Sequence, residues 1–137
     1  VMVQQEAAQR IAAHPGTRQS GAISYAVYYY AQPKVAFTVK PGSFWPPPKV
    51  TSAVIDLVPR PQLPLGAQPT RELRLFQLVR AAFGQRRKTL QNAVSAGLSL
   101  PKPQLAAALQ TIGAAPLVRP EQLTLEQYIA LEQALWP

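Results

Sequence analysis

Residues 37–59 read FTVKPGSFWPPPKVTSAVIDLVP, and the fold class turns on this stretch. Just before and into it, Val35, Phe37 and Val39 alternate with Ala36, Thr38 and Lys40, which predicts a short β-strand over 35–39 that stops at Pro41 and Gly42. Three consecutive prolines at 46–48 then fix φ and remove backbone donors, so the loop is stiff and the aromatic pair before it, Phe44 and Trp45, is aimed rather than floppy. From 52 to 58 only Asp56 interrupts Ala53, Val54, Ile55, Leu57 and Val58, the pattern of a strand covered on both faces. Two such strands need more sheet and more helices than a chain of 137 residues with this layout supplies.

Upstream, residues 21–31 are ambiguous. Ile23, Val27 and Tyr30 suit a helix, Ile23, Tyr25, Val27 and Tyr29 suit a strand, and propensity favours the strand. Residues 1–13, VMVQQEAAQRIAA, place Val3, Ala7 and Ile11 four apart and predict a helix ended by His14, Pro15 and Gly16. That helix starts without a cap or an initiator methionine, and the expectation is a natural polypeptide that continues upstream.

Downstream, PRPQLPLGAQP over 59–69 marks a linker. Beyond it the pattern is helical: Leu73, Phe76, Val79 and Phe83 on one face, a break at Gly84, a resumption through Leu90 and Val94, then Leu105, Leu109 and Ile112. Thr124 to Gln127 forms a capping box ahead of Leu125, Tyr128, Ile129, Leu131 and Leu135.

The chain has no cysteine, which removes disulfide scaffolds and thiolate metal sites. No apolar run approaches a membrane span of ~20 residues and there is no signal-peptide layout, so the expectation is a cytoplasmic protein without membrane or metal. Fourteen Lys and Arg against six Asp and Glu give +8. Between 71 and 88 stand six cations and a single acid, Glu72. Such a field attracts polyanions, nucleic acid foremost, although a merely solvated helix face has the same composition.

Acid–base chemistry has little material here. His14, the only histidine, sits at a helix end where a surface cap is the ordinary role, and the acids are scattered among different elements. No GxGxxG or GxxxxGK[ST] loop is present to hold a nucleotide or methyl donor. The remaining features are the aromatic–proline loop and the cationic segment. Aromatic faces stack on unpaired bases, while the proline run also suits a structural turn or a polyproline ligand.

Residues 37–59 resemble the segment F-x-V-P-P-x-x-F-x-P-x-P-K-V-D-S-A-V-x-x-L of the ribosomal RNA adenine N6,N6-dimethyltransferases, which modify two adjacent adenosines near the end of small-subunit ribosomal RNA. AAFGQRRKTLQNAV at 81–94 is similar to that family's A-F-x-Q-R-R-K-T-L-R-N-x-L, residues 1–13 look like the helix after its catalytic motif, and LTLEQYIAL at 123–131 resembles its last helix. The resemblance implies an α/β fragment plus α: the last helices and two strands of a Rossmann-like, seven-stranded methyltransferase sheet over 1–58, one strand antiparallel to the rest, a linker over 59–70, and a small C-terminal helical RNA-binding domain over 71–137. It makes 21–31 a helix against propensity.

It further implies that the glycine-rich loop for S-adenosylmethionine, the ribose-binding acid and the Asn-Leu-Pro-Tyr motif all lie upstream of Val1. The parent enzyme would use S-adenosylmethionine, and this stretch alone would hold no cofactor, carry no catalytic residue and be inactive. Phe44 corresponds to the aromatic that packs on the flipped adenine, and Trp45, unmatched by the family pattern, is assigned to loop packing. Lys49, Arg71, Arg74, Arg80, Arg86, Arg87 and Lys88 are the expected RNA contacts, and the partner is small-subunit ribosomal RNA or the pre-ribosomal small subunit. Thr51 stands where the family usually has Asp, and Gln91 where it has Arg. The alternative is a non-enzymatic RNA-binding or ribosome-assembly module.

Overall fold

The computed structural model describes residues 1–43, 45–47 and 49–137. Strand β1 (Met2–Gln4) leads directly into α1 (Gln5–Ala12); α2 (Ala22–Tyr30) leads directly into β2 (Ala31–Val39); β3 (Ser52–Pro59) follows the proline loop. Helices α3 (Pro69–Phe83), α4 (Leu90–Leu98), α5 (Lys102–Thr111) and α6 (Leu125–Leu135) complete the chain. The three strands lie in the order β1-β3-β2, and β3 runs antiparallel to both neighbours. Pro33 is accommodated because β2 is an edge strand of this sheet, where a missing donor costs no ladder bond on the open side.

Two expectations for the first 60 residues are corrected. Residues 2–4 are strand rather than helix, because they pair antiparallel with β3, Met2 opposite Val54, Val3 opposite Ala53 and Gln4 opposite Ser52, and bonds just outside flank the ladder: the Ile55 amide donates to the Val1 carbonyl at 2.8 Å, and the Gln5 amide donates to the Thr51 carbonyl at 2.9 Å. The helix therefore starts at Gln5 and buries Ala8, with Ile11 at its margin, while Ala7 faces solvent. Strand β3 is covered on one face only, and only in its first half. Ala53 and Ile55 are buried under α1, whereas Leu57 and Val58, paired with β2, remain exposed.

Residues 22–30 form helix α2, as the family resemblance implies and against local propensity, with Gly21 as its cap and Ala31 already in β2. The Ser24 hydroxyl accepts from the Gly21 amide at 3.0 Å and donates to the Arg10 carbonyl at 2.5 Å, which satisfies an orphan donor of the first turn and ties it to α1. Helical spacing puts Tyr25 and Tyr29 on one buried face and aims Tyr28 back at the Ala12 carbonyl, 2.9 Å away. A strand would have lined up Tyr25, Val27 and Tyr29 instead.

The larger buried cluster joins Tyr25 and Tyr29 of α2 to Leu75, Leu78, Val79 and Ala82 of α3, Leu90 and Val94 of α4, Leu105 and Leu109 of α5, and Leu125, Tyr128, Leu131 and Leu135 of α6. Leu65, inside the proline-rich stretch, is buried in it as well. The α3 face is rotated from the expected one: Leu73 is 56% exposed, and Phe76 and Phe83 lie at the edge. Helix α3 carries apolar residues on two adjacent stripes, and the packing of α4 and α6 selects the one through Leu75, Leu78 and Ala82. Gly97 permits this contact, since a Cβ there would sit 2.9 Å from the Ala81 Cβ. The expected capping box opens α6: the Thr124 hydroxyl accepts from the Gln127 amide at 3.1 Å, and the Gln127 side chain accepts from the Thr124 amide at 2.8 Å.

All five tyrosines of the chain have phenols shifted above the ordinary value near 10. Burial is the main cause for Tyr25, Tyr28, Tyr29 and Tyr128; for Tyr30 it is the hydrogen bond to Glu72, which pushes the phenol up to about 12. A raised folded value means the native state favours the protonated phenol, so this stabilisation is present below pH ~10 and is lost as pH rises through the folded values. Ultraviolet titration is expected to show less tyrosinate in the folded chain than in denaturant at the same pH above ~10. Coincident native and denatured curves would contradict these contacts.

Candidate nucleic-acid interface

The cations expected to meet RNA divide into two groups once the chain is folded. Arg71, in the first turn of α3, is engaged by Glu132 of α6: its Nε and Nη2 each lie 2.9 Å from Oε2. The Glu132 side chain is 0% exposed and that of Arg71 26%. This pair engages Nε and Nη2 of Arg71 and ties a side chain expected to contact RNA to the buried Glu132. Arg74 lies over the Trp136 ring, 5.8 Å from its centroid, which occupies it with an aromatic face.

The second group is available. Arg80 is exposed and its Nε reaches only the Phe76 carbonyl one turn back, at 3.4 Å. Arg87 and Lys88 are exposed on the turn after Gly84, and Lys49 is exposed at the end of the proline loop. Arg86 is half-buried and its Nη2 donates to the Arg18 carbonyl at 2.7 Å, so the side chain that ties the turn to the first part of the chain is Arg86. Among the described residues the only ion pair is that of Arg71 and Glu132, which leaves Arg80, Arg86, Arg87 and Lys88 without carboxylate partners. Thr89 closes the turn by capping α4, its hydroxyl accepting from the Asn92 amide at 3.3 Å.

Around the proline loop, Phe44 lies outside the described residues. Trp45 is 94% exposed, so the loop-packing role expected for it is corrected: the described part of the chain offers it nothing to pack against. Thr51 engages the sheet through its backbone carbonyl, and the Gln91 side chain donates through Nε2 to the Lys102 carbonyl at 3.4 Å, bridging α4 to α5. His14 is exposed, with its ring 5.1 Å from that of Tyr28.

Residues that the sequence did not single out appear at the junction of α1, the 13–21 loop and the turn after α3. Arg10 and Arg18 join Arg86 there in lining a cavity of about 460 Å³, with Gln9, Gln19 and Glu6. Spacings of 8 and 68 residues carry no periodic signal, so only the fold unites them. Among the described residues no group of three or more His, Cys, Asp or Glu is arranged for a metal, and no helix is long and apolar enough to cross a membrane.

A family model described as ribosomal RNA adenine dimethylase matches residues 1–135. The chain belongs to the ribosomal RNA adenine dimethylase family. Two curated members named ribosomal RNA small subunit methyltransferase A are similar to it: that of Lachnoclostridium phytofermentans is 44% identical over 96% of this chain and 45% of that protein, and that of Acinetobacter baylyi 42% over 99% and 47%. The chain thus spans about half the length of the curated relatives it matches. Among solved structures, a dimethyladenosine transferase from Plasmodium falciparum superposes with a TM-score of 0.76 at 23% identity, covering 95% of this chain and 54% of that one. The 23S rRNA methyltransferase ErmE gives 0.67 at 20%, covering 98% and 52%. Both likenesses establish the fold of this dimethylase-family chain, a small antiparallel sheet with helices matching part of a methyltransferase.

Proposed function

We propose that this chain is the RNA-facing portion of an enzyme that dimethylates two adjacent adenosines of small-subunit ribosomal RNA at N6, using S-adenosylmethionine, in the cytoplasm during ribosome biogenesis. In this reading residues 1–58 complete a Rossmann-like domain as the last strands of a seven-stranded sheet, 59–70 link, and 71–137 grip RNA. Phe44 is the stacking face for the flipped adenine, a role that rests on the match of residues 37–59 to the family segment. The observation that carries the RNA role is the turn at 84–88: Arg86, Arg87 and Lys88 are adjacent and without carboxylate partners among the described residues, with Arg87 and Lys88 exposed and Arg86 half-buried beside Arg18.

The methyl donor does not fit the cavities described. S-adenosylmethionine presents a sulfonium cation and a ribose diol, whereas the polar cavity is lined by three guanidinium groups and a single carboxylate, and the groove lined by Ala22, Ile23, Ala26, Tyr30, Phe76, Val79 and Arg80 has Arg80 as its one charged side chain. No chemical step through the donor follows from these residues, and the chain alone is expected to be inactive. What they supply is binding and orientation: phosphate contacts that fix the strand, and a stiff loop that presents its aromatic.

Each phosphate contact contributes roughly 0.7–0.9 to the slope of log affinity against log salt. Replacing Arg86, Arg87 and Lys88 together by Gln is expected to flatten that slope by about 1.5–2.5 for an RNA of small-subunit 3′-terminal sequence, with the melting temperature little changed. In the full-length enzyme Phe44→Ala is expected to lower turnover roughly 5- to 150-fold with RNA affinity nearly intact. An unchanged slope with a lowered melting temperature would assign the cations to structure, and full turnover without Phe44 would remove it from the base pocket. The second reading, a binding or ribosome-assembly module without methyl transfer, would be favoured if the full-length protein bound the RNA and left it unmethylated.

A further inference from the structure

The cavity at the junction of α1, the 13–21 loop and the turn after α3 has a composition suited to one ligand chemistry. Its lining holds the guanidinium groups of Arg10, Arg18 and Arg86, the amides of Gln9 and Gln19, and one carboxylate, Glu6. The formal sum is three positive charges less one negative, or +2, in a cleft of about 460 Å³. Like charges gathered in this way repel one another, and among the described residues none of the three arginines has an ion-pair partner. The arrangement is nevertheless held in place. Arg86 is fixed by its 2.7 Å bond to the Arg18 carbonyl, and the Arg10 stem lies along Gly21, where a Cβ would meet Arg10 Cδ at 3.4 Å. The Arg10 backbone is held in turn by Ser24. Planar guanidinium forks and neutral amide donors lining one cleft match a tetrahedral oxyanion better than a single carboxylate.

We propose that Arg10, Arg18 and Arg86 seat one backbone phosphate of the bound RNA in this cleft, extending the interface from the helical part of the chain onto α1. The inference rests on the RNA-binding reading above. RNA is favoured over an acidic protein because Arg87 and Lys88 follow Arg86 on the same exposed turn, so a polyanion leaving the cleft continues directly onto further cations. The site gives a fixed point on the Rossmann-like side of the molecule: a strand held at once by α1 and by the turn cannot swivel about the helical region alone.

The test is RNA affinity across a salt series for the wild-type chain, Glu6→Gln, the Arg10→Gln/Arg18→Gln double variant, and that double combined with Arg86→Gln. The double is expected to flatten the slope by about 0.7–0.9, one phosphate's worth, and adding Arg86→Gln is expected to flatten it little further, since all three share one contact. Glu6→Gln is expected to act in the opposite direction and strengthen binding. RNA should also shield Arg10 and Arg18 from phenylglyoxal, a readout that does not require a variant to fold. A wild-type chain that fails to bind RNA would overturn the RNA reading itself. Polyglutamate, titrated in parallel, stands for an acidic protein. Normal wild-type RNA binding with an unchanged slope in the double variant, no shielding, or loss of polyglutamate binding in the double while RNA binding persists would overturn the cleft alone.

Discussion

Arg71→Ala is expected to lower the stability of the chain by about 3–5 kcal/mol, because it leaves the Glu132 carboxylate buried without its counter-charge. Glu132 is 0% exposed and its other oxygen, Oε1, has no partner among the described residues, so Arg71 supplies all the polar compensation seen there. Removing both partners is a different experiment. Arg71→Met with Glu132→Leu replaces the pair with apolar side chains of similar size and is expected to recover most of the loss. Urea denaturation of the three proteins measures this. The double variant also isolates function from fold: with the helices intact, its RNA salt slope should equal that of the wild type. A single variant within ~1 kcal/mol of wild type would show that the pair is dispensable, and a flattened slope in the double would return Arg71 to the RNA interface.

Tyr25→Ala is expected to cost a comparable amount, about 3–5 kcal/mol, through an interior cavity and lost hydrogen bonds. The ring is fully buried, 4.9 Å from Tyr128 in an edge-on arrangement and 5.5 Å from Phe83. Its hydroxyl donates to the Leu123 carbonyl at 2.5 Å and accepts from the Gly16 amide at 3.3 Å. One side chain therefore joins α2, the turn at Gly16 and the entry to α6. Gly16 has φ +94° and a Cβ there would lie 3.3 Å from Thr124 Cγ2, so the turn is pressed against the capping residue of α6. Tyr25→Phe keeps the ring and removes only the hydroxyl, and its expected cost is about 1–3 kcal/mol for the unsatisfied carbonyl. If the alanine variant is too unstable to measure, the phenylalanine variant still reads the hydrogen bond. A Tyr25→Ala chain as stable as wild type would mean that α2 does not pack into the helical core.

The sequence by itself determined the elements whose signals are local. The existence of strands through 35–39 and 52–58, the stop at Pro41 and Gly42, and the Thr124 capping box appear where their chemistry places them, because turns and caps are set by near neighbours, whereas the strand faces are not: a register shift between Val35 and Phe37 breaks the alternation, and β3 is buried on one face only. The two family segments at 37–59 and 81–94 identified the family, and the comparisons agree. Tertiary structure decided what depends on partners far along the chain. Residues 22–30 are helical because that period buries Tyr25 and Tyr29 against α3 and α6, a gain that outweighs strand propensity. Residues 2–4 are strand because β3, fifty residues on, satisfies their backbone. The cations of 71–88 look alike in sequence, yet a buried carboxylate sixty-one residues away claims Arg71, while Arg86 turns toward Arg10 and Arg18. Charge composition follows from the residues alone, but whether a charge is spent inside the protein or offered to a ligand is settled by burial, and burial is a property of the folded chain.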